Sequence, residues 1–187
     1  MDISRYLAKS GEKVDLAQWP TACDVDIDKK KVKEELLDQT ITEMQDLQEK
    51  LFADNHYGLV IVLQAMDAAG KDGTVKHVFA RLNPAGVKVQ SFKKPSSEEL
   101  DHDYMWRINK ALPGRGEIGI FNRSHYEEVV VARIHNLIKS DGMPEELVRK
   151  DIWESRYRQI RDWERYLSEN GFPMVKIFLH LSKNEQK

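Results

Sequence analysis

Cysteine is almost absent: Cys23 stands alone in 187 residues, so no internal disulfide can form, and no set of Cys and His has the spacing of a structural zinc site. A reducing compartment suits such a chain. Net charge is also nearly absent, with 29 basic against 31 acidic residues and a formal charge of −2, so no global field draws the protein to nucleic acid or to an anionic membrane. Long apolar runs are missing too. The longest, from Gly58 to Ala65, is far too short to span a bilayer, and the N-terminus, with Asp2 and Arg5, has no apolar segment of the signal-peptide kind. The expectation is a soluble, cytoplasmic protein with neither nucleic acid nor membrane as partner. No internal repeat is visible, which excludes a solenoid.

What is present suffices for one domain with a true core, since 41% of the residues are apolar. Residues 1–28 mix Gly, Pro and charge without a period and read as an irregular arm against the core, which is expected to occupy 29–187. From Lys29 to Ala53, apolar residues at Val32, Leu36, Leu37, Ile41, Met44, Leu47 and Leu51 recur at three- and four-residue steps, predicting an amphipathic helix. The run Gly58 to Leu63 is rich in β-branched residues and continuous, as in a strand buried on both faces of a parallel sheet. A helix through Val75, Val78, Phe79 and Leu82 should follow, ended by Asn83-Pro84-Ala85-Gly86 before a strand from Val87 to Phe92.

The alternation continues. Ser96-Ser97-Glu98-Glu99 is a cap for a helix to about Ala111, and Pro113-Gly114-Arg115-Gly116 turns into a strand from Glu117 to Phe121. Helices are predicted from Tyr126 to Ile138 and from about Glu145 to Asn170, then a strand from Met174 to Leu181. Strands alternating with helices define an α/β chain, with helices on both faces of a mainly parallel sheet.

The chemistry centres on the segment after the first strand, Gln64-Ala65-Met66-Asp67-Ala68-Ala69-Gly70-Lys71-Asp72-Gly73-Thr74. A strand, a Gly-containing turn and a helix N-terminus present backbone N–H groups to an anion, and Lys71 adds a mobile positive charge. The match to the P-loop pattern G-x-x-x-x-G-K-[ST] is imperfect, because Ala65 replaces the first Gly and Asp72 replaces the metal-binding Ser or Thr. Asp67 then becomes the candidate to give a hard oxygen to Mg²⁺ or to orient an attacking phosphate oxygen. The plainer alternative is an ordinary glycine turn beside a surface lysine.

A second cluster, Phe121-Asn122-Arg123-Ser124-His125-Tyr126-Glu127-Glu128, leaves the carboxyl end of a predicted strand, the edge at which open α/β sheets bind ligands. Asn122 stands at the Walker-B place, Arg123 can spread charge over phosphoryl oxygens, and Glu127 is a candidate contact to metal or nucleoside. The alternative is simple pairing of Arg123 and Glu127 on a helix surface. Residues 70–94 hold Lys71, Lys76, Arg81, Lys88, Lys93 and Lys94 against one acid, Asp72, a local excess suited to a polyanion. Lys93 and Lys94 also leave a strand end, so they line the same mouth or lie on a solvated turn. Arg133 interrupts the apolar stretch from Val129 to Ile134, which calls for a partner or a function. Tyr104, Trp106 and Ile108 read as core by spacing, with a nucleobase contact by Trp106 and Arg107 as the alternative. Arg156, Arg158, Arg161 and Arg165 read as a solvated basic face of the long helix.

These segments together make the chain resemble the polyphosphate kinase 2 family over nearly its whole length. The likeness rests on Gln64 to Thr74, on Phe121 to Glu127, on Pro113-x-x-Gly116, and on Lys176-Ile177-Phe178-Leu179-His180-Leu181-Ser182-Lys183-x-Glu185-Gln186. It implies a three-layer α/β/α P-loop kinase fold and Mg²⁺-dependent phosphoryl transfer between inorganic polyphosphate and nucleotides. A homo-oligomer, dimer or tetramer, is implied as well. Residue by residue, it makes Asp67, Lys71 and Arg123 the catalytic set, with Asp67 and Asn122 facing the metal. Ala68, Ala69, Gly70, Asp72, Gly73 and Thr74 form the phosphate loop, and Lys76, Lys93, Lys94, Glu127 and Arg133 serve phosphate or nucleotide. Asn122-Arg123-Ser124-x-Tyr126-Glu127 resembles the branch that accepts both mono- and diphosphates, here AMP and ADP or their guanine counterparts. Family members normally continue past the Ser182 to Gln186 segment into a helical lid and a final helix, which this 187-residue sequence does not include. An ATP-dependent kinase of a nucleoside monophosphate or small molecule, and a lid-less binding module with little turnover, are the competing expectations.

Overall fold

A computed structural model describes residues 3–9, 11–22, 36–140 and 142–186. Cys23 and the first part of the predicted Lys29–Ala53 helix lie outside the described residues. Within them that helix is α1, Leu37–Asp54, ended by Asn55 in the left-handed conformation, with φ 52°. The described part of the N-terminal arm has two short 3₁₀ turns, Ser4–Tyr6 and Leu16–Gln18, and irregular backbone elsewhere.

Four strands follow: β1 Leu59–Ala65, β2 Val87–Ser91, β3 Ile118–Asn122 and β4 Met174–Leu179. They form one sheet in the order β2-β3-β1-β4, and every pair is parallel. Parallel neighbours require crossovers, and the helices in those crossovers cover both faces. The two-residue period of the strands shows this directly. Val60, Val62 and Phe121 face a cluster with Phe92, Met105 and Ile108, sealed by Trp163. Leu63, Ile118 and Ile120 face the opposite cluster with Phe79 and Leu82, sealed by Met44 and Leu51 of α1. The result is the predicted three-layer α/β/α architecture. Gly119 in the middle of β3 has a packing reason, because a Cβ there would stand 2.8 Å from Cδ of Pro113.

The predicted strands are found to within one or two residues, but three predicted helices are broken. The Ser96–Ala111 helix is two pieces, α3 Ser97–Leu100 and α4 Trp106–Lys110. Its capping box is present, with Ser96 Oγ accepting from Glu99 N at 3.3 Å and Ser96 N donating to Glu99 Oε2 at 2.7 Å. The break falls where Asp103 Oδ1 accepts the Met105 N–H at 2.9 Å, a local bond that competes with the helix ladder. The Tyr126–Ile138 helix is a 3₁₀ turn, His125–Glu128, then α5, Val131–Ile134, then a second 3₁₀ turn, Leu137–Ser140. Three consecutive valines, 129 to 131, are stiff at χ1 and form helix poorly, and Asn136 leaves helical geometry at φ 52°. The Glu145–Asn170 helix starts late: a 3₁₀ turn, Glu145–Leu147, stops at Val148, whose ψ is 74°, and α6 runs over Ile152–Glu169.

Candidate active site

The chain leaves β1 at Ala65 and turns through Met66–Gly70 into a short helix, α2, Lys71–Thr74, continued by a π-helical turn over Val75–Phe79. Ala68 and Gly70 adopt positive φ, 60° and 84°. Gly70 meets this demand without a Cβ penalty, whereas Ala68 carries strain of the kind stored at functional sites. Thr74 closes the turn, its N–H donating to Gly70 O at 2.9 Å and its Oγ1 at 3.1 Å. Lys71 folds back over the loop and donates from Nζ to Ala65 O at 3.0 Å and Met66 O at 2.9 Å. Burial and the Arg123 guanidinium lower its pKa, against the partial opposition of Asp67 and Glu127.

The β3 end supplies the opposite wall. Buried Asn122 donates from its side-chain amide to Asp72 Oδ1, joining the Walker-B place to the residue that replaces the P-loop Ser or Thr. Arg123 takes a left-handed backbone, φ 64°, and donates from Nη2 to Asp67 Oδ1 at 2.7 Å. Glu127 stands behind it, 3.5 Å from Arg123 Nη1 and accepting from the Gln64 side chain.

One cleft of about 580 Å³ gathers Asp67, Ala68, Ala69, Gly70, Lys71, Asp72 and Gly73 with Asn122 and Arg123, and its third wall is Ser91 to Lys94 at the end of β2. Most of the residues singled out in the sequence therefore meet in one place. Four do not line it: Lys76 is exposed on the π turn, Thr74 is occupied with Gly70, Glu127 stands behind Arg123 with the Gln64 side chain, and Arg133 donates to the Tyr157 hydroxyl at 3.0 Å. Arg133 has the partner its setting demanded. Among the described residues, no cluster of three or more His, Cys, Asp and Glu side chains could hold a metal.

Two buried charged groups escaped the sequence reading. Arg156, expected on a solvated face, is 2% exposed; its Nη1 donates to Glu128 O at 2.9 Å and its guanidinium lies 4.4 Å from the Tyr104 ring centroid. Arg107 donates to Glu128 Oε1 at 2.8 Å and to Lys93 O at 2.7 Å. This Arg107–Glu128–Arg156 cluster borders a second cavity of about 550 Å³, which Leu100, Met105, Met143 and Leu147 also line and which Pro95 links along the chain to Lys94 in the cleft. Trp106, expected in the core, is half-buried and stacks on His102 with ring centroids 4.0 Å apart, while Tyr104 and Ile108 pack as expected.

The second group lies behind the Asn122–Glu127 turn. Glu164 accepts from the Tyr126 hydroxyl and from Lys176 Nζ, each at 2.7 Å, and stands 3.3 Å from His125 Nε2. Spacing held a signal for both groups: Ile152, Arg156, Ile160 and Glu164 follow at four-residue steps, so the two charges lie on the buried stripe of α6. Burial pushes the Glu164 carboxyl up, but hydrogen bonds from His125, Lys176 and Tyr126 outweigh it and hold the pKa at about 2. The folded value lies below the unfolded one, so this stabilisation is complete above about pH 4.5 and is lost as pH falls towards 2. Burial also lowers the His125 pKa, which destabilises the fold further below the ordinary histidine value of 6.5. Urea unfolding as a function of pH is expected to give a shallower loss between about pH 4.5 and 2 for Glu164→Gln than for the wild type.

A parallel sheet whose first strand runs into a lysine-bearing loop and helix, with a polar second edge one strand away, defines a P-loop kinase fold. Residues 26–187 match the Polyphosphate kinase 2 (PPK2) family, and the chain belongs to it. It is 49% identical over 185 residues to the ADP-polyphosphate phosphotransferase of Rhodopseudomonas palustris, covering 98% of this chain and 64% of that protein. It is 46% identical over 144 residues to the AMP/ADP-polyphosphate phosphotransferase of Meiothermus ruber, covering 77% and 50%. The crystal structure of Polyphosphate Kinase 2 from Arthrobacter aurescens TC1 matches with a TM-score of 0.78 at 38% identity, over 96% of this chain and 61% of that one. The chain thus spans about half to two thirds of these relatives.

Proposed function

We propose that this chain is the core of a polyphosphate-dependent nucleotide kinase, moving a phosphoryl group between inorganic polyphosphate and AMP or ADP, or GMP or GDP. The carrying observation is the convergence of Lys71, Arg123 and Asp67 on one cleft that continues along Lys93 and Lys94. The names of the relatives from Rhodopseudomonas palustris and Meiothermus ruber, ADP- and AMP/ADP-polyphosphate phosphotransferase, support both substrates. Transfer breaks the terminal P–O bond of the donor chain and forms one to a nucleotide phosphate oxygen. Such chemistry needs in-line placement and charge neutralisation more than covalent help. Lys71 would exchange its two carbonyl contacts for phosphate oxygens, whose negative charge favours its protonated form. Arg123 covers the oxygens from the β3 side, Lys93 and Lys94 follow the polyanion, and the apolar cavity beside Arg107 suits the nucleoside.

The donor set fits Mg²⁺. Hard oxygens at Asp67 and Asp72, with Asn122 beside the latter, are few, and Mg²⁺ uses one or two carboxylates together with substrate phosphates and water. When bound, Mg²⁺ would neutralise charge on the substrate phosphates. A cytoplasmic homo-oligomer, dimer or tetramer, completes the reading on the strength of the family resemblance. Among the described residues no helix is long and apolar enough to cross a membrane.

The test is incubation with Mg²⁺ and AMP or ADP, offering either polyphosphate or ATP as donor and following nucleotide products. Product formation with polyphosphate is the expected result. Product with ATP alone overturns the donor, and binding of both substrates without product overturns turnover by this chain.

A further inference from the structure

Arg123 is one of two non-glycine residues of the cleft, with Ala68, whose backbone is left-handed. The Arg123 φ of 64° is strained for a non-glycine residue, and such a conformation persists only where the surroundings over-determine it. On the strand side the restraint is plain, since Arg123 N donates to Leu63 O at 3.0 Å and prolongs the β1–β3 ladder by one residue. On the other side Ser124 is fully buried, its hydroxyl donating to Gln64 Oε1 at 3.4 Å, and the chain is held further along at His125 and Tyr126.

We infer that Glu164 is a positioning residue for the transfer centre: by gripping Tyr126 and His125 it clamps the Asn122–Glu127 turn from behind and keeps Arg123 directed at Asp67. This rests on the phosphoryl-transfer reading of the cleft. Three side chains from two elements, the 3₁₀ turn and β4, converge on the one carboxylate. Its Oε1 takes the Tyr126 hydroxyl at 2.7 Å and faces His125 Nε2 at 3.3 Å; its Oε2 takes Lys176 Nζ of β4 at 2.7 Å, and that ammonium also reaches the Tyr126 hydroxyl at 3.2 Å. His125 is fully buried between the Tyr126 and Trp163 rings, at centroid distances of 4.6 and 4.9 Å. Among the described residues its buried Nδ1 has no hydrogen-bond partner, so the ring is oriented through Nε2 and packing.

Apolar side chains of the same volume often replace a buried ion pair without loss of stability. They would not set the direction of Tyr126, and through it the turn whose first residues are Asn122 and Arg123. Glu127, one residue beyond Tyr126, contacts the Arg123 guanidinium at 3.5 Å, so the grip reaches both the backbone and the head of the arginine.

The experiment compares Glu164→Gln with wild type, alone and in an Arg123→Ala background, reading kcat and KM for polyphosphate beside the thermal midpoint. Small displacements at a reacting centre are costly, so Glu164→Gln is expected to lower kcat about tenfold with KM changed by less than about threefold. In the Arg123→Ala background the same substitution should change kcat by less than about twofold, because its target is gone. Tyr126→Phe, which keeps the ring, should act in the same direction at about threefold, and Lys176→Arg should retain activity. Equal losses in both backgrounds, or wild-type kcat in Glu164→Gln, overturn the inference. If the wild type makes no product with polyphosphate, it is the functional reading that fails. The crystal structure of Glu164→Gln then decides the positioning role: Arg123 leaving its left-handed backbone and Asp67 supports it, and an unchanged Arg123 overturns it.

Discussion

Replacing Lys71 with Ala is expected to lower polyphosphate-dependent nucleotide phosphorylation by about 10²–10³-fold, the scale on which a single preorganised charged donor stabilises a transition state. Lys71 is 8% exposed at the floor of the cleft, and its ammonium already rests on two loop carbonyls, so little reorganisation separates it from a phosphate placed there. The loss should fall mainly on kcat if charge develops on the transferring group, and on KM if the lysine only binds ground-state phosphate. Stability should change little, by about 0.5–1.5 kcal/mol, because the freed Ala65 and Met66 carbonyls face an open cleft. Lys71→Arg is not expected to rescue, since a planar fork cannot replace a compact ammonium in that niche. Lys93→Ala and Lys94→Ala should cost less and depend strongly on salt, as rim charges do. Steady-state rates at two ionic strengths, with unfolding midpoints, separate these effects.

The largest effect on stability is expected at Glu128. Arg107 and Arg156 are 8% and 2% exposed, and Glu128 accepts from one through its carboxylate and from the other through its backbone carbonyl, with the Arg156 guanidinium 3.8 Å from Oε2. Glu128→Ala removes the carboxylate that two buried guanidiniums share, a change that costs about 3–5 kcal/mol when one side of a buried ion pair is lost. For a chain of this size that is a fall of about 10 °C in the thermal midpoint, readable by circular dichroism. Glu128→Gln, which keeps an acceptor, should lose less. Adding Arg156→Met to Glu128→Ala should recover part of the loss, because the repulsion of two buried cations ends. A drop in activity should accompany Glu128→Ala, since Arg107 also holds the Lys93 carbonyl at the cleft edge.

Much of the fold was legible in the sequence because its signals are local. The continuous apolar run before Gln64 marks a strand covered on both faces, and the Gly70-Lys71 turn after it marks an anion site by its backbone alone. The strand ends placed Asn122, Arg123, Lys93 and Lys94 at the same edge by the topology of parallel sheets. Helix lengths were misjudged where local competition decides: the Asp103 side chain, the three valines and the Val148 backbone each stop a run whose apolar spacing continues. Arg133 and Lys76 carry the right charge but face elsewhere, and charge alone does not reveal direction.

The order of strands and helices, the position of the phosphate loop and the identity of its lysine and carboxylate were determined by the sequence itself, through periodicity and turn chemistry. Tertiary structure alone decided that Arg123 turns to Asp67, that Asn122 meets Asp72, that Arg156, read as part of a solvated basic face, is buried, and that Glu164 is half-buried against His125 and Tyr126. The reason is physical: a charge can be buried only where another element supplies its partner, and those partners, Glu128 for Arg156 and Tyr126 and Lys176 for Glu164, lie 12 to 38 residues away.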